Sequence, residues 1–125
     1  MSKKEIENYI QKAIDVLSDK FIQGVIPSAY NGYISAFGAS IIQSGLKPTL
    51  ALYENQNAST KEDKSQLTKL ILNILDEQTQ EQSLLKYVIN SERSENELKQ
   101  DIVDIAVAIK LSIRTFKLDK GDSNE

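Results

Sequence analysis

The sequence predicts an all-α fold, a compact bundle of five to six helices in a single domain. Three observations carry this. Punctuation is sparse: five glycines and two prolines in 125 residues leave long uninterrupted segments, whereas a many-stranded fold needs frequent turns. Lys, Glu, Gln, Leu and Ala are abundant, and all rank high as helix formers. Apolar residues recur at three- and four-residue spacing in segment after segment, the period of a helix with one buried face.

The first helix is expected over residues 3–21, with Ile6, Tyr9, Ile10, Ala13, Leu17 and Phe21 on one face. Ser2 with Glu5 three residues on fits a capping box. Residues 23–28 read as a loop, because Gly24 and Pro27 interrupt a helix and Pro27 pushes Ile26 to extended geometry. The segment 30–54 organises the rest. Tyr30, Tyr33, Ile34, Phe37, Ile41 and Ile42 give it a wide apolar stripe, and Gly32, Ser35, Ala36, Gly38, Ala39 and Ser40 are small enough for close packing. It is expected to be mostly buried, with the other helices around it. Gly45 ends this helix as a glycine of left-handed backbone would. Pro48 suits the first turn of the next, and Leu46, Leu50 and Tyr53 restart the helical spacing through residue 54.

Residues 55–59 are polar and read as a surface loop. Ser59 or Thr60 caps a fourth helix whose inner face is Leu67, Leu70, Ile71, Ile74 and Leu75, ending near Glu77. A short fifth helix is expected over residues 80–89, with Leu84, Leu85, Val88 and Ile89, and a turn over 90–93. Ser94 and Glu97 form a capping box for a last helix over 95–118. Leu98, Ile102, Ile105, Ala106, Ile109, Ile113 and Phe116 give that helix one stripe, and Val103, Val107 and Leu111 widen it. Such a helix is central or shares a second face with a partner. The domain therefore covers residues 1–118, and the polar tail 119–125 is expected to be disordered.

Composition excludes more chemistry than it supports. There is no histidine and no cysteine, so the commonest general base, the commonest zinc ligand and any thiol chemistry are missing. No glycine precedes a Lys-Ser or Lys-Thr pair, so there is no phosphate loop. Asp15 with Asp19, and Asp101 with Asp104, are carboxylate pairs at helical spacing that could hold a divalent cation. Solvated helix faces explain them as well, and no cofactor or metal is implied. No apolar run approaches the roughly 20 residues of a membrane span, and no signal segment opens the chain. A soluble, cytoplasmic, non-catalytic protein is the expectation.

With a net charge of −3, contact with nucleic acid must come from a local patch. Lys110, Arg114 and Lys117 share one strip of helix by their spacing. Cations near a helix C-terminus stabilise it by roughly 0.3–1 kcal/mol each, and spacing alone favours that explanation over phosphate binding. Lys47 is an isolated cation at the corner after Gly45. Arg93, in the turn before the last helix, could bond backbone carbonyls or a phosphate. Tyr30 and Tyr33 could stack on bases, although their spacing with Ile34 and Phe37 marks them as core. Residues alone thus favour a small helical interaction module over an enzyme.

The segment 33–53 adds a resemblance. Gly45-Leu46 at the end of one helix, followed at once by Leu50-Ala51-Leu52-Tyr53, resembles the signature of the small helical subunit of the type III-B CRISPR effector, the Cmr complex. Ser44 stands where that family often has asparagine. One helix before the signature, a polar middle and a long closing helix fit the same plan. The resemblance implies a non-catalytic subunit in antiviral defence. It would stack in a filament with copies of itself, beside other Cmr subunits and the crRNA, and contact target RNA phosphates without reading sequence. Lys110, Arg114 and Lys117, with Lys47 and Arg93 behind them, are the candidates to face RNA. The small subunit of the related type III-A complex and a helical adaptor that binds only proteins remain alternatives. An enzyme would need Asp101 or Asp104, and a helix-turn-helix regulator would need base-reading side chains after Gly45.

Overall fold

A computed structural model describes residues 3–21, 24–55 and 61–119. The element order is α1 (Lys3–Lys20), β1 (Val25–Pro27), α2 (Ala29–Ser44), α3 (Leu46–Tyr53), α4 (Lys61–Leu75), α5 (Leu84–Asn90), α6 (Glu95–Ile113) and β2 (Lys117–Asp119). The expected all-α bundle is what forms, with six helices among the described residues. The expected caps at Ser2, Ser59 and Thr60 and the tail 120–125 lie outside the described residues.

α6 occupies the centre, with α1, α2 and α4 packed against it. Its Leu98, Ile102, Ile105, Ala108 and Ile109 are buried, so almost every turn contributes to the core. Each fully buried aliphatic side chain of this row contributes roughly 1.5–3 kcal/mol to folding. The N-terminus forms where the local pattern directs it: the Ser94 hydroxyl accepts from the Glu97 amide at 3.1 Å, satisfying an otherwise orphaned donor. The C-terminus differs from the expected end near Leu118. The last turns tighten, with Thr115 N–H donating to Ser112 O and Phe116 N–H to Ile113 O. The Thr115 hydroxyl also donates to Ser112 O at 2.7 Å, a side-chain bond that competes with helix continuation. The chain then enters β2, which pairs in parallel with β1 in the register Val25 to Lys117, Ile26 to Leu118 and Pro27 to Asp119. The expected loop at 23–28 is thus partly a strand, and Asp119 is not the start of a free tail.

α2 also differs from expectation. Tyr30, Ile34, Phe37 and Ile41 are buried, but Ser35, Ala36, Ala39 and Ile42 lie on the open side, Ile42 at 76% exposure. Its small residues do not serve close packing within the chain: a Cβ at Gly32 or Gly38 would meet nothing within 4 Å. The reason is positional, since α6 rather than α2 holds the centre.

The corner between α2 and α3 does match its sequence signal. Gly45 has φ 99° and ψ 166°, a backbone region closed to residues with a Cβ. Its amide donates to Ile41 O at 2.9 Å. This sharp turn folds α3 back on α2. Leu46, Leu50 and Tyr53 are buried, while Ala51 is exposed. Phe37 and Tyr53 meet edge to face at 5.1 Å, the Tyr53 hydroxyl donates to Tyr33 O at 2.8 Å, and the Ser40 and Thr49 hydroxyls bond at 2.8 Å.

α5 starts at Leu84, four residues after the sequence suggests. Ser83 caps it, accepting from the Lys86 amide. Glu54, at the end of α3, accepts from both the Ser83 hydroxyl and the Leu85 amide. A carboxylate distant in sequence therefore fixes where this helix begins, a choice local spacing cannot reveal.

Candidate nucleic-acid interface

Each cation proposed from sequence has a definite place. Lys47, in the first turn of α3, faces the start of α6 and pairs with Glu95 at 3.3 Å, both side chains half exposed. Arg93, in the turn before α6, reaches over the first turns of that helix. Its guanidinium donates to Asp101 at 2.6 Å and lies 4.0 Å from Glu97. The hydrogen bond to Asp101 raises the Arg93 pKa, with the Asp101 and Glu97 charges adding to it. The partners of Arg93 are carboxylates, which were not among the partners expected from the sequence, rather than backbone carbonyls.

Lys110 and Arg114 differ from these two. They lie one turn apart, Lys110 half-buried on α6 and Arg114 exposed just past its end, with φ −64° and ψ −17° continuing the helical path. Neither has an ion-pair or hydrogen-bond partner among the described residues. Lys117 does not continue the strip along a helix, because the backbone has by then turned into β2 opposite Val25. Its side chain lies outside the described residues.

One cation was missed by sequence reasoning. Lys99 stands eleven residues before Lys110, close to three helical turns, and therefore on the same side of α6. It is half-buried and, like Lys110, unpaired among the described residues. The signal was available as spacing, but the acids around Lys99 made that half of the helix look uniformly negative. Folding offsets part of that charge: Lys47 pairs with Glu95, Arg93 pairs with Asp101 and lies 4.0 Å from the exposed Glu97, and Asp104 is turned inward and wholly buried. The row that remains outward is Lys99, Val103, Val107, Lys110, Leu111 and Arg114. It combines free cations with aliphatic surface, and the half-exposed Leu111 extends it.

Asp104 lies at the α1–α6 seam. Gln100 donates to its Oδ1 at 3.0 Å, and its Oδ2 has no partner. Burial raises its pKa; the Gln100 bond opposes this, and the nearby Glu5 and Asp101 charges reinforce it. The Tyr9 hydroxyl across the seam is likewise pushed up, by burial first and then by Asp101 and Asp104. Among the described residues no group of three or more acids could hold a metal ion. Asp101, committed to Arg93, and Asp104, buried, do not converge on a common exterior site.

The tyrosines are not free platforms for bases. Tyr30 is buried edge to face against Phe21 at 5.5 Å. Tyr33 is partly buried, with the Lys64 ammonium 5.6 Å from its ring and 5.4 Å from that of Tyr53. The second notable surface is an open groove of about 550 Å³ between α1 and α4, which Asp15 and Asp19 line.

Among the described residues no helix is long and apolar enough to cross a membrane. A family model described as CRISPR-associated protein (Cas_Cmr5) matches residues 3–105. The matched span includes the Gly45 corner, Arg93 and Lys99, and ends before Lys110. No curated protein and no solved structure matches the chain.

Proposed function

The chain belongs to the Cas_Cmr5 family of CRISPR-associated proteins, and is thus a subunit of a Cmr complex; from that premise we propose that it is a non-catalytic RNA-facing subunit, with the outer side of α6 turned to RNA phosphates. In this reading the complex is the type III-B effector of antiviral defence, working in the cytoplasm. Copies of the chain stack as a filament beside the subunits that carry the crRNA. Guide pairing reads the sequence, and the small subunit supplies charge and shape.

The observation that carries the reading is the partition of charge on and around α6. Lys47 and Arg93 are already paired with carboxylates, whose charge offsets theirs in the local field. Lys99, Lys110 and Arg114 are unpaired on one side of one helix. In a chain of net charge −3, this makes a local positive face on an acidic body. Such a face holds a polyanion on one side and leaves the rest of the surface for protein neighbours. Val103 and Val107 between the cations give the sugar edge an apolar surface to lie on.

The test is RNA capture by the reconstituted complex over a range of salt concentrations. It compares the native subunit with a Lys99→Glu, Lys110→Glu, Arg114→Glu variant. Each phosphate contact to a single strand contributes about −0.7 to the slope of log K against log salt. Loss of three contacts should flatten the slope by about 2 and weaken capture in proportion. Equal capture with an equal slope would leave Lys110 and Arg114 as stabilisers of the end of α6 and Lys99 as a solvated side chain, and would return the chain to the role of a protein-only adaptor.

A further inference from the structure

We propose that the groove between α1 and α4 is a docking channel for one helix of a different protein subunit, a helix whose aliphatic row is edged by basic side chains on one side and acidic ones on the other. The groove holds about 550 Å³, within the range of clefts that take up ligand groups. Its floor is apolar, made by Val16 of α1 and by the buried Leu70 and Ile74 of α4. A helix with its side chains is about 10–12 Å across, so only one row of side chains enters. Helix-in-groove recognition works in this way.

The rims give the occupant its chemistry. α1 and α4 run antiparallel here: Lys20, at the end of α1, donates to Gln66 near the start of α4 at 2.7 Å, and Lys12 and Glu77 line the opposite end. In the middle, Asp15 and Asp19 on the α1 rim stand across from Lys69 on the α4 rim. At the far end the signs exchange, with Lys12 on α1 and Glu77 following α4. Lys12, Asp19, Lys69 and Glu77 carry no ion pair or hydrogen bond among the described residues, and Asp15 only accepts from Gln11 on its own helix. Charges of both signs thus face a channel that they do not close. An incoming helix meets Asp15 and Asp19 with bases and Lys69 with acids, and the exchange at the far end gives the channel a direction. Complementarity of this kind sets register and partner choice more than affinity.

The same charges argue against other occupants. RNA would bring phosphate against Asp15, Asp19 and Glu77. For a second copy, the outer side of α2 carries no charge, and a crosslink to another copy is the competing outcome of the crosslinking test.

The experiment uses the complex reconstituted from the host's Cmr subunits, with a photo-crosslinking residue in place of Asn73 on the groove wall. The expected result is a crosslink to a helical peptide of another subunit bearing aliphatic, basic and acidic residues in the stated arrangement. In parallel, the Asp15→Lys, Asp19→Lys double variant should enter the complex about tenfold less well. Lys69→Glu, on the other rim, should reproduce the loss, so that misfolding of one variant cannot account for it. The Lys110→Glu, Arg114→Glu variant should enter normally, which separates this proposal from the RNA reading. A crosslink to RNA or to a second copy, no crosslink, or undiminished entry of the rim variants would overturn it.

Discussion

Asp104→Asn should stabilise this protein at neutral pH and leave its stability nearly unchanged in acid below the ordinary carboxyl value of 3.8. The side chain is wholly buried. One oxygen is satisfied by Gln100, and the other has no partner. An unsatisfied buried polar group costs about 1–3 kcal/mol, and more when charged. Asparagine keeps the oxygen that Gln100 binds and replaces the orphan anionic oxygen with a neutral amide. The amide is still unpaired, so part of the penalty stays, and a net gain of about 1–2 kcal/mol is expected at pH 7. For a chain of this length that is a rise in Tm of about 3–10 °C.

The sign of the pH dependence follows from the direction of the shift. Burial raises the folded-state pKa of Asp104 above its ordinary value of 3.8, so the folded state holds the proton more tightly than the unfolded one. The stability contributed by that proton is fully present below the ordinary value. It is lost as pH rises through the raised folded-state pKa. The asparagine variant cannot ionise and loses nothing over this range. The assay is urea unfolding followed by far-ultraviolet circular dichroism, for both proteins, at a series of pH values. The difference between them cancels the other carboxylates, including Asp101 on Arg93. The difference should be near zero at the acid end and grow towards neutrality in favour of asparagine. A variant less stable than the native protein at neutral pH, or a difference independent of pH, would refute the reasoning and mean that the carboxylate is compensated in the folded state.

Three further substitutions test the framework around the site. Gly45→Ala should cost about 1–3 kcal/mol in thermal or denaturant unfolding through backbone strain alone, because its Cβ would come no closer than 3.6 Å to Pro48. Gly32→Ala, in mid-helix with nothing within 4 Å, should instead stabilise by about 0.5–1 kcal/mol. Arg93→Ala should lower stability by about 1 kcal/mol or less, as a largely exposed pair does, and leave RNA capture by the complex unchanged. A loss of capture comparable to that of the Lys99, Lys110, Arg114 variant would place Arg93 on the interface despite its carboxylate partners.

The expectations that matched the structure rest on signals contained in a few neighbouring residues. Ser94 and Glu97 mark the start of α6 because the cap bond spans one turn. Gly45 marks the corner because only glycine takes its φ without strain. Leu46, Leu50 and Tyr53 fall on the buried side of α3 by period alone. The expectations that missed depended on contacts between distant segments. α6 stops at Ile113 because the chain beyond it has β1 to pair with. α5 begins at Leu84 because Glu54 reaches Ser83. The outer side of α2 is open because α6 took the central place.

The helical class, the corner at Gly45, the exclusion of histidine and thiol chemistry and, through the segment around Gly45-Leu46, the family were all legible in the residues alone. Periodicity, capping and composition are local, and they survive without knowledge of which helices meet. Which charges are free depends on the folded arrangement. Lys47 and Arg93 stood behind Lys110 and Arg114 as candidates, and Lys99 was not among them. Folding then brought Glu95 to Lys47 and aligned Arg93 over Asp101 and Glu97, while turning Asp104 inward. The Lys47–Glu95 distance is set only when α3 and α6 have packed, whereas Arg93 meets Glu97 and Asp101, four and eight residues on, once α6 itself has formed.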